Sequence, residues 1–414
     1  MRKYRKIQTI ALSAALTTAY APLALAEEVS SEEQSLEVTE EPERIVSMGP
    51  NMTEILFALG AGDKLVGRTD YCDYPASVSE VESVGSISNA DIEKILSLEP
   101  DLVLASTHFS DEASKQLEDA GVSVLYLYSE DKMEGVYDMI SQVGDAVGCK
   151  EQAKEVVAKM QAKINYVSER LADADENPSA YYVVGYGEYG DYTAGGDTFV
   201  NGILTAAGAD NVAADVEGWS YSTEKLLEKD PKYVITNEYN AEGFCTTDPY
   251  TELTAVKEEL VYTIDTNMLD RQGPRNADAV VELAYLFHPE CFASATTYPV
   301  AIELNDEQLE FEKCPESVYA ASEELYGLLA ELGIISEDEQ YEEKTVDELV
   351  SEKPELVLAD DEYSEEDCET LKEAGIIVVY ADAKEDETVT LLGQLFDCNA
   401  KADELCYIRA ALAE

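Results

Sequence analysis

The side chains in this chain best suited to holding a ligand are aromatic. It carries 26 Tyr against 8 Phe and a single Trp. Tyrosine offers a flat apolar face with a polar tip, which suits a large ring bearing amide or carboxylate edges. Several polar or aromatic residues stand where short apolar runs end. Arg44–Met48, Lys64–Arg68 and Leu102–Ala105 are such runs, followed by Gly49-Pro50-Asn51, Thr69-Asp70-Tyr71 and Ser106-Thr107-His108. His108 is the sharpest single candidate, because an imidazole at a strand end could ligate an iron or cobalt centre. A polar surface histidine is the plainer reading. The other histidine, His288, falls in a His-Pro-Glu turn and reads as structural. Two histidines so far apart do not supply the ligand cluster of a zinc or manganese receptor.

Catalytic patterns are missing. No nucleophile comes with a base, no glycine loop is built for phosphate, and no motif pairs two carboxylates, so the chain reads as a binder with no catalytic residues and no cofactor of its own. The formal net charge of -59 disfavours nucleic acid and anionic lipid surfaces as partners, because phosphate would repel the chain. Eight cysteines in an exported chain suggest disulfides, with Cys245 and Cys291 one candidate pair. No C-x-x-C is present, so redox catalysis has no support.

The elements that must position these residues follow from periodicity. Met52, Ile55, Leu56 and Leu59 recur at helical spacing and are closed by Gly60 and Gly62. Strand, helix, strand, helix, strand in this order gives a parallel sheet with crossover helices. Ligands of such sheets sit outside the carboxyl ends of the strands, which is where Pro50, Asn51, Tyr71, Thr107 and His108 lie.

The stretch Arg44–His108 resembles the first lobe of the substrate-binding proteins of ABC importers for cobalamin, haem and ferric siderophores. The residues that carry the resemblance are Arg44-Ile45-Val46-Ser47, Asn51-Met52-Thr53-Glu54-Ile55-Leu56, Leu59-Gly60, Thr69 to Pro75, and Leu98 to Val103. Second-lobe landmarks are Gly218-Trp219, Leu226 to Pro231, Arg271-Gln272-Gly273-Pro274-Arg275 and His288-Pro289-Glu290. The resemblance implies an α/β fold of two lobes with central parallel sheets, joined by a long spine helix, with the ligand in the interlobe cleft. It adds Asp73 and Tyr74 to the first-lobe candidates, and gives Tyr186, Tyr189, Tyr192, Trp219, Tyr221 and Arg271 from the second. Trp219 stands where the family sets an aromatic against its ligand. Glu54 stands where it presents a carboxylate to arginines of the membrane permease, although the matching second-lobe position is Gly202. The implied function is an extracytoplasmic receptor that delivers a corrinoid, haem or ferric siderophore to an ABC importer. The strong negative charge favours a near-neutral corrinoid, with haem next. A non-transport surface binding or scaffold protein is the alternative.

Taken in order, residues 1–26 read as a cleaved signal peptide, with Arg2, Lys3, Arg5 and Lys6 before an apolar run and Ala24-Leu25-Ala26 at the cleavage site. No cysteine precedes Cys72, so the expected product is exported without a lipobox anchor. No later run is apolar enough to span a bilayer. Residues 27–43 are an acidic linker, 44–132 the first lobe, 133–178 the spine and 179–294 the second lobe.

Residues 295–414 read as a third, first-lobe-like lobe. EKILSLEPDLVLASTHFSDEASKQLEDAGVSVLYLYSED from Glu93 matches DELVSEKPELVLADDEYSEEDCETLKEAGIIVVYADAKE from Asp347, and Cys149 falls on Cys398 further on. In this repeat Asp360-Asp361-Glu362 replaces Ser106-Thr107-His108, so no copy of the ligand is expected there.

Overall fold

Short β-branched runs bounded by glycine, proline and capping residues dictate a chain of short parallel strands and crossover helices. The computed structural model describes residues 41–106, 109–127, 132–188, 190–304, 307–336, 341–360 and 363–413. The expected signal peptide and residues 27–40 of the expected linker lie outside them.

The first lobe runs β1 (Ile45–Ser47), α1 (Pro50–Ala58), β2 (Leu65–Arg68), β3 (Gly85–Ser86), β4 (Asn89–Ala90), α2 (Ile92–Ser97), β5 (Leu102–Ala105), α3 (Asp111–Asp119) and β6 (Ser123–Tyr126). Its parallel sheet has the order β2-β1-β5-β6, and β5 is buried along its whole length, as a strand covered on both faces must be. Pro50 starts α1 at a position where its missing N–H costs nothing. Asp91 and Ser110 cap α2 and α3 through their side chains.

The spine is two helices, α4 (Met133–Val147) and α5 (Lys150–Arg170), broken at Gly148 in the left-handed region. The 21 residues of α5 span about 31 Å at 1.5 Å per residue. Two compact units share the chain. One extends to Val157 and includes Asn267–Asn276; the other comprises Ala158–Thr266 and Ala277–Glu414. The spine helix thus passes from one unit into the other, and the Arg271 segment, expected in the second lobe, belongs with the first.

In the second lobe come β7 (Ser179–Tyr182), β8 (Asp191–Tyr192), α6 (Phe199–Ala206), β9 (Asp210–Asn211), β10 (Ser220–Tyr221), α7 (Thr223–Lys229), β11 (Tyr233–Thr236), α8 (Glu238–Thr246), α9 (Thr254–Lys257) and β12 (Val261–Thr263). A short helix, α10 (Asn267–Asp270), lies in the first unit before α11 (Asn276–Phe287) closes the lobe. The parallel sheet is β12-β11-β7-β9, and β8 and β10 form a separate antiparallel ribbon.

After α11 the chain forms a hairpin that its sequence does not announce, β13 (Val300–Leu304) with β14 (Glu307–Phe311). Then follow β15 (Val318–Ala320), α12 (Glu323–Glu331), α13 (Val346–Glu352), β16 (Leu356–Ala359), α14 (Glu365–Glu373), β17 (Ile377–Tyr380), α15 (Asp386–Leu395) and α16 (Asn399–Ala413). The repeat read from sequence is present in atomic detail. Sheet β15-β16-β17 sets Val318 beside Leu356 and Leu356 beside Ile377, as the first sheet sets Ile45 beside Leu102 and Leu102 beside Ser123. At the α4–α5 corner a Cβ on Gly144 would lie 2.5 Å from Ala153 Cβ; at the α15–α16 corner one on Gly393 would lie 2.6 Å from Ala402 Cβ. Cys149 and Cys398 donate their backbone N–H groups to those same glycine carbonyls at 2.8 and 2.9 Å.

This third region packs on the second lobe. Tyr166 of α5 is fully buried; its hydroxyl donates to Asp403 at 2.9 Å and its ring lies 5.4 Å from that of Tyr407. Tyr285 of α11 donates to Ala400 O at 3.0 Å, and Arg170 donates to Asp403 at 2.6 Å. All eight cysteines are free thiols, so the expected Cys245–Cys291 disulfide is not formed.

Candidate functional site

In the first lobe the loop after β1 is built for close approach. A Cβ on Gly49 would lie 2.8 Å from Asn51 Oδ1 and 3.3 Å from Ser106 Cβ, so glycine is what lets the β1 and β5 loops meet. Asn51 then donates from Nδ2 to Ser106 Oγ at 3.3 Å, which fixes the amide at the strand ends. Pro50 and Asn51 are half-buried at the amino end of α1. Thr107 and His108 lie outside the described residues.

The loop after β2 carries the exposed aromatics of this lobe, Tyr71 at 64% and Tyr74 at 37% exposure. What holds the loop is an ionic cluster. The carboxylate of Glu54 is only 4% exposed and accepts from Arg271 Nη1 at 3.0 Å, Arg275 Nε at 2.8 Å and Arg275 Nη2 at 2.9 Å. Arg271 also donates to both carboxylate oxygens of Asp73, at 2.6 and 3.2 Å, and to the Tyr71 carbonyl at 3.3 Å. Partial burial alone would raise the Asp73 pKa; the hydrogen bonds and charge of Arg271 outweigh it and hold the carboxyl below its usual range. The Arg275 guanidinium lies 4.1 Å over the Tyr74 ring, a cation–π contact that sets the ring's orientation.

Two expectations are corrected here. Glu54 is buried under two guanidinium groups, so it presents no carboxylate for an external arginine. Gly202, exposed on α6, consequently loses its meaning as a missing docking partner. Arg271 is not a second-lobe ligand contact: its donors are committed to Glu54, Asp73 and the Tyr71 carbonyl inside the first unit. Arg275, which the sequence reading passed over, is the second bolt of the same cluster.

Within the second lobe, β8 and β10 make a two-stranded ribbon after the carboxyl end of β7. Tyr192 pairs with Ser220 on its exposed face, and Asp191 pairs with Tyr221 on its buried face. Tyr192 is 42% exposed and Trp219 is 44% exposed, with Thr193 N donating to the Trp219 carbonyl at 2.9 Å. Both rings are part-exposed at the surface of the lobe.

Tyr221 and the half-buried Tyr186 pack into the lobe instead. Tyr221 is buried, its hydroxyl donates to Val212 O at 2.9 Å, and its ring lies 5.9 Å from that of Tyr181. Tyr186 packs edge-on against Phe244 and Tyr250, where a Cβ on Gly243 would meet its hydroxyl. Both side chains serve the core of the lobe. Tyr189 lies outside the described residues.

The buried Asp191 was also missed, since nothing in its local sequence separates it from a surface carboxylate. Its carboxylate accepts from the Tyr250 hydroxyl, which in turn accepts from Gly187 N at 2.9 Å. Burial, helped by this bond to Asp191, pushes the Tyr250 pKa up to about 12, so the phenol stays a donor at neutral pH. With Gly187 and Gly190 both at φ +101°, this pair fixes the loop that leads into Tyr192.

Residues 45–268, more than half of the chain, match the family model described as periplasmic binding protein. The chain is 38% identical over 266 residues to an uncharacterised ABC transporter substrate-binding lipoprotein of Bacillus subtilis, covering 63% of this chain and 84% of that protein. It is 29% identical over 262 residues to a cobalamin-binding protein of Halobacterium salinarum, covering 60% and 70%. Among solved structures, the periplasmic heme-binding protein RhuT of Roseiflexus sp. superposes with a TM-score of 0.56 at 25% identity, covering 60% of this chain and 99% of that one. The first of these relatives is named as an ABC transporter component and the others as binding proteins, so the surface-scaffold alternative gains no support from them. No helix among the described residues is long and apolar enough to cross a membrane. With its two parallel-sheet lobes and its matched sequence, this chain belongs to the periplasmic binding protein family, whose members bind solutes rather than transform them.

Proposed function

We propose that the protein is an extracytoplasmic receptor for one large, ring-containing metal complex, a corrinoid first and haem next, which it hands to an ABC importer. The observation that carries the reading is the set of exposed aromatics on loops that are themselves fixed: Tyr71 and Tyr74 in the first lobe, Tyr192 and Trp219 in the second. Exposed tyrosine and tryptophan faces offer flat apolar surface with a polar tip, which suits a large ring. The clusters beneath them remove the loop entropy that binding would otherwise cost. Pro50 and Asn51 supply polar edges beside the first pair; Thr107, His108 and Tyr189 stay in the proposal on sequence grounds.

Relatives named for cobalamin and heme support the ligand class. The chain's negative charge supports a near-neutral corrinoid over anionic siderophores. The importer contact rests on the receptor reading and passes from Glu54 to exposed carboxylates. Trp219 is the chain's single tryptophan, so its fluorescence tests the reading directly. Titration with hydroxocobalamin or haem should quench it in a saturable one-to-one curve, with matching heat by calorimetry. No quenching and no heat with any corrinoid, haem or ferric siderophore would overturn the proposal.

A further inference from the structure

At the end of α11 the chain turns through His288-Pro289-Glu290-Cys291, and the His288 ring is buried there. Its Nε2 lies 2.9 Å from the carbonyl oxygen of Gly208. A carbonyl can only accept, so Nε2 carries a hydrogen, and in the neutral ring the lone pair is then on Nδ1. Glycine makes this approach possible: Gly208 sits at φ +82°, and a Cβ there would fall 2.8 Å from Nε2. Nδ1 looks toward Glu290, whose Oε1 is 3.5 Å away. A ring nitrogen of His288, a Glu290 oxygen and the Cys291 sulfur all lie within 4.8 Å of one another, in the one such cluster found among the described residues. A ring nitrogen, a carboxylate and a thiol converging in this way bring three metal-ligand atoms together with at most one thiol hydrogen to share among them. A cation among them satisfies all three.

We propose that His288, Glu290 and Cys291 hold one divalent cation of borderline softness, zinc being the ion whose preferred donors they are. One imidazole nitrogen, one sulfur and one oxygen form a zinc-type set, whereas magnesium and calcium take oxygen throughout. An imidazole that donates its other N–H to a backbone carbonyl is the usual way a ligating ring is oriented. Glu290, Asp173 and Asp175 place three carboxylates within electrostatic reach of the Cys291 sulfur. The same carboxylates draw in a cation, which on binding takes the sulfur as thiolate and releases its proton to solvent.

The site is separate from the proposed ligand loops. Gly208 and Asp210, whose N–H donates to Pro178 O at 2.9 Å, lie at the amino end of β7, while Tyr192 follows its carboxyl end.

The test uses the full chain, reduced and stripped with a chelator, then titrated with Co²⁺. The expected result is one tightly bound equivalent with a thiolate-to-cobalt charge-transfer absorption, displaced by Zn²⁺ and accompanied by proton release. Cys291→Ser should abolish that absorption, and Glu290→Gln should keep it while weakening binding by about tenfold or more. Both variants spare the buried ring, and circular dichroism checks that they fold. Binding at surface carboxylates alone would take up several Co²⁺ ions weakly and give no sulfur absorption. That outcome, or an absorption that survives in Cys291→Ser, overturns the site.

Discussion

Replacing Glu54 by Ala separates two roles that predict opposite phenotypes. As an exposed docking group its loss would leave folding untouched and lower only delivery. As the carboxylate between Arg271 and Arg275 it should be among the costly substitutions in the first lobe. The variant removes three charge-assisted hydrogen bonds of 2.8 to 3.0 Å and leaves two largely buried guanidiniums without their shared counter-charge. Breaking a buried pair from one side costs about 3–5 kcal/mol. Arg271 keeps Asp73 and Arg275 keeps the Tyr74 ring, which places the expected loss near the lower end, about 3 kcal/mol. That is a drop of about a hundredfold in the folding equilibrium of the first lobe. Urea unfolding followed by circular dichroism reads it as a lowered midpoint for the transition that includes this lobe. Glu54→Gln keeps the shape and removes the charge, so it should recover only part of the loss. A double cycle with Arg275→Ala should show coupling, because the two side chains share two charge-assisted hydrogen bonds. An unchanged midpoint in Glu54→Ala would refute the buried-cluster account and return Glu54 to the surface.

The other predictions concern the ligand face, the clamp and the tail. Trp219→Ala should weaken ligand binding by about 1–3 kcal/mol, while Tyr221→Phe should cost about 1 kcal/mol of stability with affinity unchanged; calorimetry and urea melts distinguish the two. Asp73 has a depressed folded pKa, so its contribution is present above the unfolded carboxylate value of about 3.9 and is lost as pH falls through the lower folded value. Asp73→Asn should therefore lack that acid-sensitive component, seen as a smaller difference between urea midpoints at neutral and low pH. Ending the chain after Ser294 uncovers Tyr166, Tyr285 and Phe292, and the second lobe should lose at least about 3 kcal/mol of stability. An unaltered melt would show that the tail does not brace the lobe, and two ligands bound per intact chain would show that it carries a second site.

The strands and the repeat were legible because their signals are local. Leu102–Ala105 and Leu356–Ala359 are buried strands with the same neighbours, and the Gly144 and Gly393 corners repeat because each helix pair can approach only over a missing side chain. The placement of Arg271 was not legible. Its partner Glu54 lies 217 residues away in sequence, and ion pairs over such separations leave no periodic trace. A motif placed among second-lobe residues by its position in the chain therefore turned out to lock a first-lobe loop. The tyrosines failed for a different reason. In the β8–β10 ribbon a one-residue offset decides everything: Tyr192 opposite Ser220 faces water, and Tyr221 opposite Asp191 faces the core. Composition says that tyrosine is abundant, and only the register of two two-residue strands says which rings reach the surface. The buried Asp191 sits on the core side of that register, where its bond to Tyr250 fixes the loop entering β8. A carboxylate that a sequence reader would assign to solvent thus determines which aromatic face the lobe can offer.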